Sequence, residues 1–370
     1  MTELPQTDVR NPRVLSWLYN AHVDPWLVLG IVLVLALGLT VMSGTLGHAP
    51  NMLFRHVFLI FLGVAALFVM AQIPEHTYVG LTPFIYLGSV GLLICVLFFG
   101  DEAKGAMRWI DWPLLPRFQP SEILKVALPL SLAWYLHDKP IPLRFSDLLV
   151  CLIIIGIPVA CVFSQPDFGT TVLVTIACLC VVFLAGLQWR WIIAATVLTV
   201  IGFVVAWRVL LTEYQIERIV TFLNPDRNPL GAGWNIIQSK IALGSGGALG
   251  KGLGEGTQSQ LSFLPEGHTD FMLAVVGEEL GFVGTATLLT LFFFIFARGM
   301  TMCRNCPTRF GRLASAGFLM MFFGYMLTNV MMVSGLLPVV GAPLPLVSYG
   351  GTSIITILAG FGVVTALRGR

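Results

Sequence analysis

The residues Leu264-Pro265-Glu266-Gly267-His268-Thr269-Asp270 close the one polar interval of this chain long enough to hold chemistry, which opens at Glu213. Apolar runs press against the interval on both sides. Those before it read as membrane helices that bring short loops to one face. Those after it read as three more helices.

Composition supports that reading. Apolar residues make up 56% of the 370 and charged residues only 11%, with a mean hydropathy of +0.87; globular proteins carry about 25% charged residues. Runs of about 18 or more apolar residues recur, each long enough for a hydrocarbon core of roughly 30 Å. They are continuous rather than alternating, which excludes an outer-membrane barrel. The expected fold is an all-α polytopic membrane protein, a single domain over 1–370. About ten transmembrane helices are expected, near 26–43, 53–73, 79–99, 121–136, 146–163, 169–187, 191–211, 271–297, 313–336 and 348–367. The leader, 1–25, runs through Val23-Asp24-Pro25 into the first span without a small-residue cleavage site, so no cleaved signal peptide is expected.

An even number of spans puts both termini on one side, and basic residues choose the side. With cytoplasmic termini, the inner segments carry Arg10, Arg13, Lys139, Arg144, Arg190, Arg298, Arg304, Arg309, Arg312, Arg368 and Arg370. The short outer loops carry only Arg55, Lys104, Arg108 and Arg117. This asymmetry makes the interval 213–270, between spans seven and eight, a large extracytoplasmic loop. Most acidic residues then fall on or near the outer face. No basic patch suggests nucleic acid. Of the seven cysteines, five lie inside apolar runs, and Cys303 and Cys306 form one C-x-x-C without the second ligand pair that a zinc site needs.

Polar residues at membrane depth are costly and usually functional. Glu122 and Lys125, three apart behind Pro120, share a helix face and can pair; the pair either locks helices together or serves a site. Asp167, in Gln165-Pro166-Asp167-Phe168-Gly169, can cap the sixth span or help hold a cation. Gly244 to Gly252 resembles a phosphate loop, yet Ser245 and Gly252 break the Walker pattern, so no nucleotide is expected. Its glycines permit close backbone approach to a ligand, for which a pyrophosphate lipid headgroup is a candidate. Asp270, at the mouth of the eighth span, can cap that helix or act as a general base. Glu278 and Glu279 follow two turns later and need partners. The proline-rich final loop, Pro338 to Gly351, is expected to be irregular and to line a cavity or pack on protein.

Five stretches carry a resemblance: Lys104-Gly105-Ala106-Met107-Arg108-Trp109, Phe118-Gln119-Pro120-Ser121-Glu122-Ile123-Leu124-Lys125, Gln165-Pro166-Asp167-Phe168-Gly169-Thr170, Pro265-Glu266-Gly267-His268-Thr269-Asp270-Phe271 and Pro343-Leu344-Pro345-Leu346-Val347-Ser348-Tyr349-Gly350-Gly351. In this order they resemble the blocks of the SEDS family (shape, elongation, division and sporulation), across nearly the whole chain. The short ends point to the elongation member rather than the division member. The resemblance implies a peptidoglycan glycosyltransferase that polymerises lipid II into β-1,4 glycan at the outer face of the bacterial inner membrane. It makes Asp270 the essential aspartate, with Glu122, Lys125, Arg108 and Asp167 supporting. Arg218, Lys240 and Ser348 join them as candidate substrate contacts. Gly267 departs from the larger residue common there.

The expected chemistry has Asp270 deprotonate a sugar hydroxyl that attacks the lipid-pyrophosphate-linked end of a growing chain. Positive charge at the leaving pyrophosphate would come from Arg108, Lys125, Arg218 or a divalent cation, Mg²⁺ or Mn²⁺. The resemblance also implies undecaprenyl-pyrophosphate-linked glycan as a ligand and a class B penicillin-binding protein as transpeptidase partner. The rival reading is a lipid II flippase, which would need polar residues through the full membrane depth.

Overall fold

The computed structural model describes residues 22–46, 49–103, 106–112, 115–194, 197, 233–261, 263–264 and 266–369. Its helices are α1 (Pro25–Thr45), α2 (Pro50–Gln72), α3 (Glu75–Phe99), α4 (Pro120–Leu136), α5 (Phe145–Ser164), α6 (Phe168–Leu184), α7 (Trp234–Ser245), α8 (Thr257–Gln260), α9 (Met272–Arg304), α10 (Arg309–Val333) and α11 (Ser353–Leu367). Six of these, α1, α2, α3, α5, α9 and α10, are long and apolar enough to cross a membrane, and α6 and α11 are shorter apolar helices. With α4, they reproduce nine of the expected spans. The seventh, 191–211, falls almost wholly outside the described residues, as do the leader up to residue 21 and Arg218.

Local chemistry explains the helix starts. Asp24 caps α1 by accepting the Leu27 N–H, Asp167 caps α6 by accepting that of Thr170, and Thr308 caps α10 through Gly311. Proline opens α1, α2 and α4, where its missing N–H costs nothing. One span is longer than expected: α9 reaches Arg304 rather than ending near 297. It is broken at Gly281, whose φ of 65° and ψ of −160° are not helical. Between α3 and α4 the chain forms an antiparallel sheet of three short strands, β1 (Asp101–Ala103), β2 (Ala106–Trp112) and β3 (Leu115–Phe118), in the order β1-β2-β3. The sequence reading expected only a loop there.

Two apolar clusters hold the bundle. One joins α1, α2, α9 and α11, and the other joins α3 to α6 with α10. Where α2 meets α11 the backbones come very close: a Cβ on Gly362 would stand 2.4 Å from the Leu67 carbonyl oxygen. Small residues allow such contact in membrane bundles. Outward, Phe54, Phe61, Phe84 and Phe98 are exposed, as side chains facing hydrocarbon should be.

One end of the bundle is tied by charge. Asp24, 3% exposed, accepts from Arg298 of α9 at 2.6 and 2.9 Å and from Arg368, just after α11, at 2.6 Å. At the same end the Arg309 guanidinium donates to the carbonyls of His137, Lys139 and Ala185, linking three inter-helix turns. Burial pushes the Asp24 carboxyl up, but the Arg298 hydrogen bonds, the Leu27 N–H and the two guanidinium charges outweigh it and leave it below the usual carboxylate range. Its stabilisation is therefore present above the unfolded-state value and lost as pH falls through the lower folded value. Because the arginines are 30% and 35% exposed, Asp24→Asn is expected to cost about 2 kcal/mol, less than the roughly 3–5 of a fully buried pair. Thermal unfolding in detergent should show a lowered midpoint that no longer depends on pH through that group.

Candidate active site

At the other end of the bundle the predicted residues form a connected set. β2 delivers Arg108, whose guanidinium donates to the carbonyl of Gln165 at 3.0 Å and to that of Pro166. It also faces the Asp167 carboxylate at 3.8 Å. Asp167 is 4% exposed and takes a further hydrogen bond from Gln119, at 3.3 Å. Its capping and charge-pairing roles thus coexist in one side chain.

One turn into α4, Lys125 donates to both oxygens of Glu122, at 2.7 and 2.8 Å. The ammonium also sits 4.0 Å over the Tyr325 ring of α10, a cation–π contact that is strongest when desolvated. Thr356 of α11 donates to Glu122 at 3.3 Å, and the Tyr325 hydroxyl bonds Thr170 of α6 at 3.3 Å. Four helices meet on this pair, which is buried on all sides. The helix-locking role is visible here: the pair joins α4 to α10 and α11 one turn into α4.

Asp270 is half-buried, two residues before α9. Its carbonyl accepts from Asn329 of α10 at 2.7 Å, and the same amide nitrogen donates to the Ala342 carbonyl at 2.7 Å. Asn329 therefore fastens the Asp270 turn to the final loop. A Cβ on Gly341 would stand 3.6 Å from Asp270 Oδ2, so that glycine lies directly beside the carboxylate. One residue earlier, the Val340 carbonyl oxygen lies where a Cβ of Gly169 would approach to 2.5 Å. The strip Val340–Gly341 thus has the Asp167 turn on one side and Asp270 on the other. The Tyr349 N–H donates to the His268 carbonyl at 2.8 Å, a second tie between the two segments. The sequence alone assigns Asn329 no role; an amide at membrane depth is the signal that could have found it.

Other candidates stand apart. Ser348 is buried, and its hydroxyl accepts the Leu344 N–H at 2.9 Å, inside the final loop's own turn. Lys240, on α7, lies against the end of α10, where a Cβ on Gly335 would come 2.7 Å from its Nζ; a cation suits a helix C-terminus. The glycine-rich segment makes its close approaches to the chain itself. Gly247 and Ala248 carbonyls accept from Phe282 and Val283, and the Lys251 and Gly252 N–H groups donate to Glu278 and Glu279 carbonyls. Those bonds repair the α9 break. Cys306 and Cys303 are buried thiols bonded to backbone carbonyls of Met302 and Arg312, and burial pushes Cys306, in the loop before α10, up to about 11. Among the described residues no three His, Cys, Asp or Glu side chains gather as metal ligands.

The comparisons with known proteins agree with this arrangement. A family model described as "Cell cycle protein", covering FtsW, RodA and SpoVE, matches residues 16–369. The chain belongs to this family. The peptidoglycan glycosyltransferase MrdB of Escherichia coli K12 is 43% identical to it over 97% of this chain and 96% of its own. A chain from the solved structure described as "Structural coordination of polymerization and crosslinking by a peptidoglycan synthase complex" superposes with a TM-score of 0.82, at 34% identity over 93% of this chain and 97% of that one. The rod shape determining protein RodA of Thermus thermophilus gives 0.70, at 29% identity over 93% and 96%. Nearly the whole fold is therefore shared with these relatives.

Asn329→Leu removes the shared donor of two carbonyls at this junction. It is expected to lower stability by about 2–3 kcal/mol, since each orphaned buried acceptor costs roughly 1–3. The midpoint of thermal unfolding checks it.

Proposed function

We propose that this protein is a peptidoglycan glycosyltransferase of the elongation type, polymerising lipid II with Asp270 as general base. The observation that carries the base assignment is its setting. Asp270 is half-buried at the head of a span, its backbone held by Asn329 and its carboxylate facing a residue without a side chain. Gly341, at a φ of 71°, packs directly against that carboxylate.

In this reading a sugar hydroxyl of one lipid II gives its proton to an Asp270 carboxylate oxygen. The freed oxygen attacks the anomeric carbon of the growing chain from the face opposite its lipid pyrophosphate. The carbon–oxygen bond to the pyrophosphate breaks as the new bond forms, so an α-linked donor yields a β-1,4 product. The leaving charge is met by cations at this end. Arg108 is partly exposed, at 30%, whereas Lys125 is already shared with Glu122 and acts through the local field. Lys240 is a supporting candidate, as is Arg218, which lies outside the described residues. A Mg²⁺ or Mn²⁺ ion would arrive with the pyrophosphate and need only one or two carboxylates from the protein; no step above depends on it.

The proposal places both termini in the cytoplasm of a bacterial inner membrane and Asp270 outside. Supporting that orientation, the end bearing Asp24, Arg298, Arg309 and Arg368 is the basic one. The partner would be a class B penicillin-binding protein, because the polymerising relative comes from a complex that also crosslinks. A flippase fits less well. Buried charges such as Glu122 and Lys125 lie toward one end, while Thr82, Ser131 and Thr365 deeper in the bundle donate to carbonyls of their own helices.

Asp270→Asn is expected to reduce lipid II polymerisation by about 10²–10⁴ or more without changing the thermal midpoint or partner co-purification. The assay is glycan length from labelled lipid II with the partner's transpeptidase blocked. Wild-type chain lengths from the variant would remove Asp270 from the mechanism.

A further inference from the structure

Two acidic groups of α9 remain unused by the chemistry above. Glu278 and Glu279 are fully buried, at 0% exposure, roughly 12 Å along the helix from Asp270 at 1.5 Å per residue. One oxygen is well served: Glu278 Oε1 accepts from Lys251 Nζ at 2.7 Å, Thr257 Oγ1 at 3.0 Å and the Gln258 N–H at 3.0 Å. Glu278 Oε2 and the buried Gln258 Oε1 have no hydrogen-bond partner. Neither Glu279 oxygen receives a hydrogen bond of full geometry; the Gly254 N–H and the Ser259 hydroxyl reach it as weak donors.

The backbone around these oxygens forms a cradle that only glycine leaves open. A Cβ on Gly44, in α1, would stand 3.2 Å from Glu279 Oε2 and 2.9 Å from the Gly254 nitrogen. A Cβ on Gly256 would stand 2.9 Å from Glu278 Oε2. So α1, the loop 252–260 and α9 converge on the Glu278 and Glu279 carboxylates, with Gln258 in the same loop. Charge does not balance there, since two carboxylates face one ammonium. Buried ionised groups that are under-coordinated are strongly disfavoured. A proton on Glu279 would correct the charge, yet it offers one donor where several oxygens remain under-coordinated. A hard cation needs acceptors only, and takes carboxylate, amide and backbone oxygens together. The set has no thiolate or imidazole, which sets it apart from zinc sites.

We infer that Glu278, Glu279 and Gln258 form a site for a divalent cation of the Mg²⁺ or Ca²⁺ class, which pins the loop 252–260 and α1 to the broken helix. The inference does not rest on the role of Asp270. The test uses the full-length chain in detergent, stripped with chelator, then titrated with MgCl₂ or CaCl₂ at constant ionic strength against choline chloride. The unfolding midpoint of the wild type is expected to rise saturably with one of the two ions, and Asp270→Asn should behave the same. Glu279→Gln should raise the half-saturating concentration by about tenfold or more, because it removes one of the two ligand charges. No rise beyond the choline control, an unchanged response in Glu279→Gln, or a response lost only in Asp270→Asn would each overturn the site. If Glu279→Gln does not fold, Mn²⁺-soaked crystals of the wild type decide: an anomalous peak between Glu278 and Glu279 supports it, and none there rejects it.

Discussion

A helix cannot break inside a membrane protein unless other groups take up the hydrogen bonds it abandons. Here α9 breaks at Gly281, and the segment Gly247–Gly252 supplies the missing partners by donating to and accepting from its backbone. That repair fixes where the first part of α9 points. Asp270 stands just ahead of that part, so its position is set by a loop about twenty residues earlier in the sequence. The dense glycine content of the loop follows directly: a Cβ on Gly250 would stand 2.1 Å from the Glu279 carbonyl oxygen.

Around Asp270 the protein spends charge in a chain rather than at a point. Arg108 faces Asp167, Gln119 reaches Asp167 from the start of α4, and Lys125 holds Glu122 beneath Tyr325. Each link is short and most are buried, so each is strengthened by the low dielectric and costly to leave half-made. Linked this way, the side chains hold one another in fixed mutual positions.

Much of this was legible in the sequence. Hydrophobic runs gave most of the described spans to within about five residues, Asp167 marked a helix start, and the three-residue spacing of Glu122 and Lys125 announced their pairing. What escaped was long-range. The Lys251–Glu278 pair and the Asp24–Arg368 pair have no local spacing to betray them. The role of Asn329 was not legible, because its two acceptors come from turns that folding brings together. The glycine-rich segment misled for a physical reason: small residues announce close approach without saying to what. The sheet between α3 and α4 was missed since its strands are short and lack a clean alternation.

The double clamp on Asp24 has a mechanical meaning. It joins the beginning of α1 to the far end of α9 and to the residue that follows α11, and Arg309 stitches three turns on the same level. That end of the bundle behaves as a hinge plate. Relative motion of α1, α9 and α11 is then a splay about the plate, with displacement growing toward the opposite end. A small rotation at the plate becomes its largest sideways shift at that opposite end.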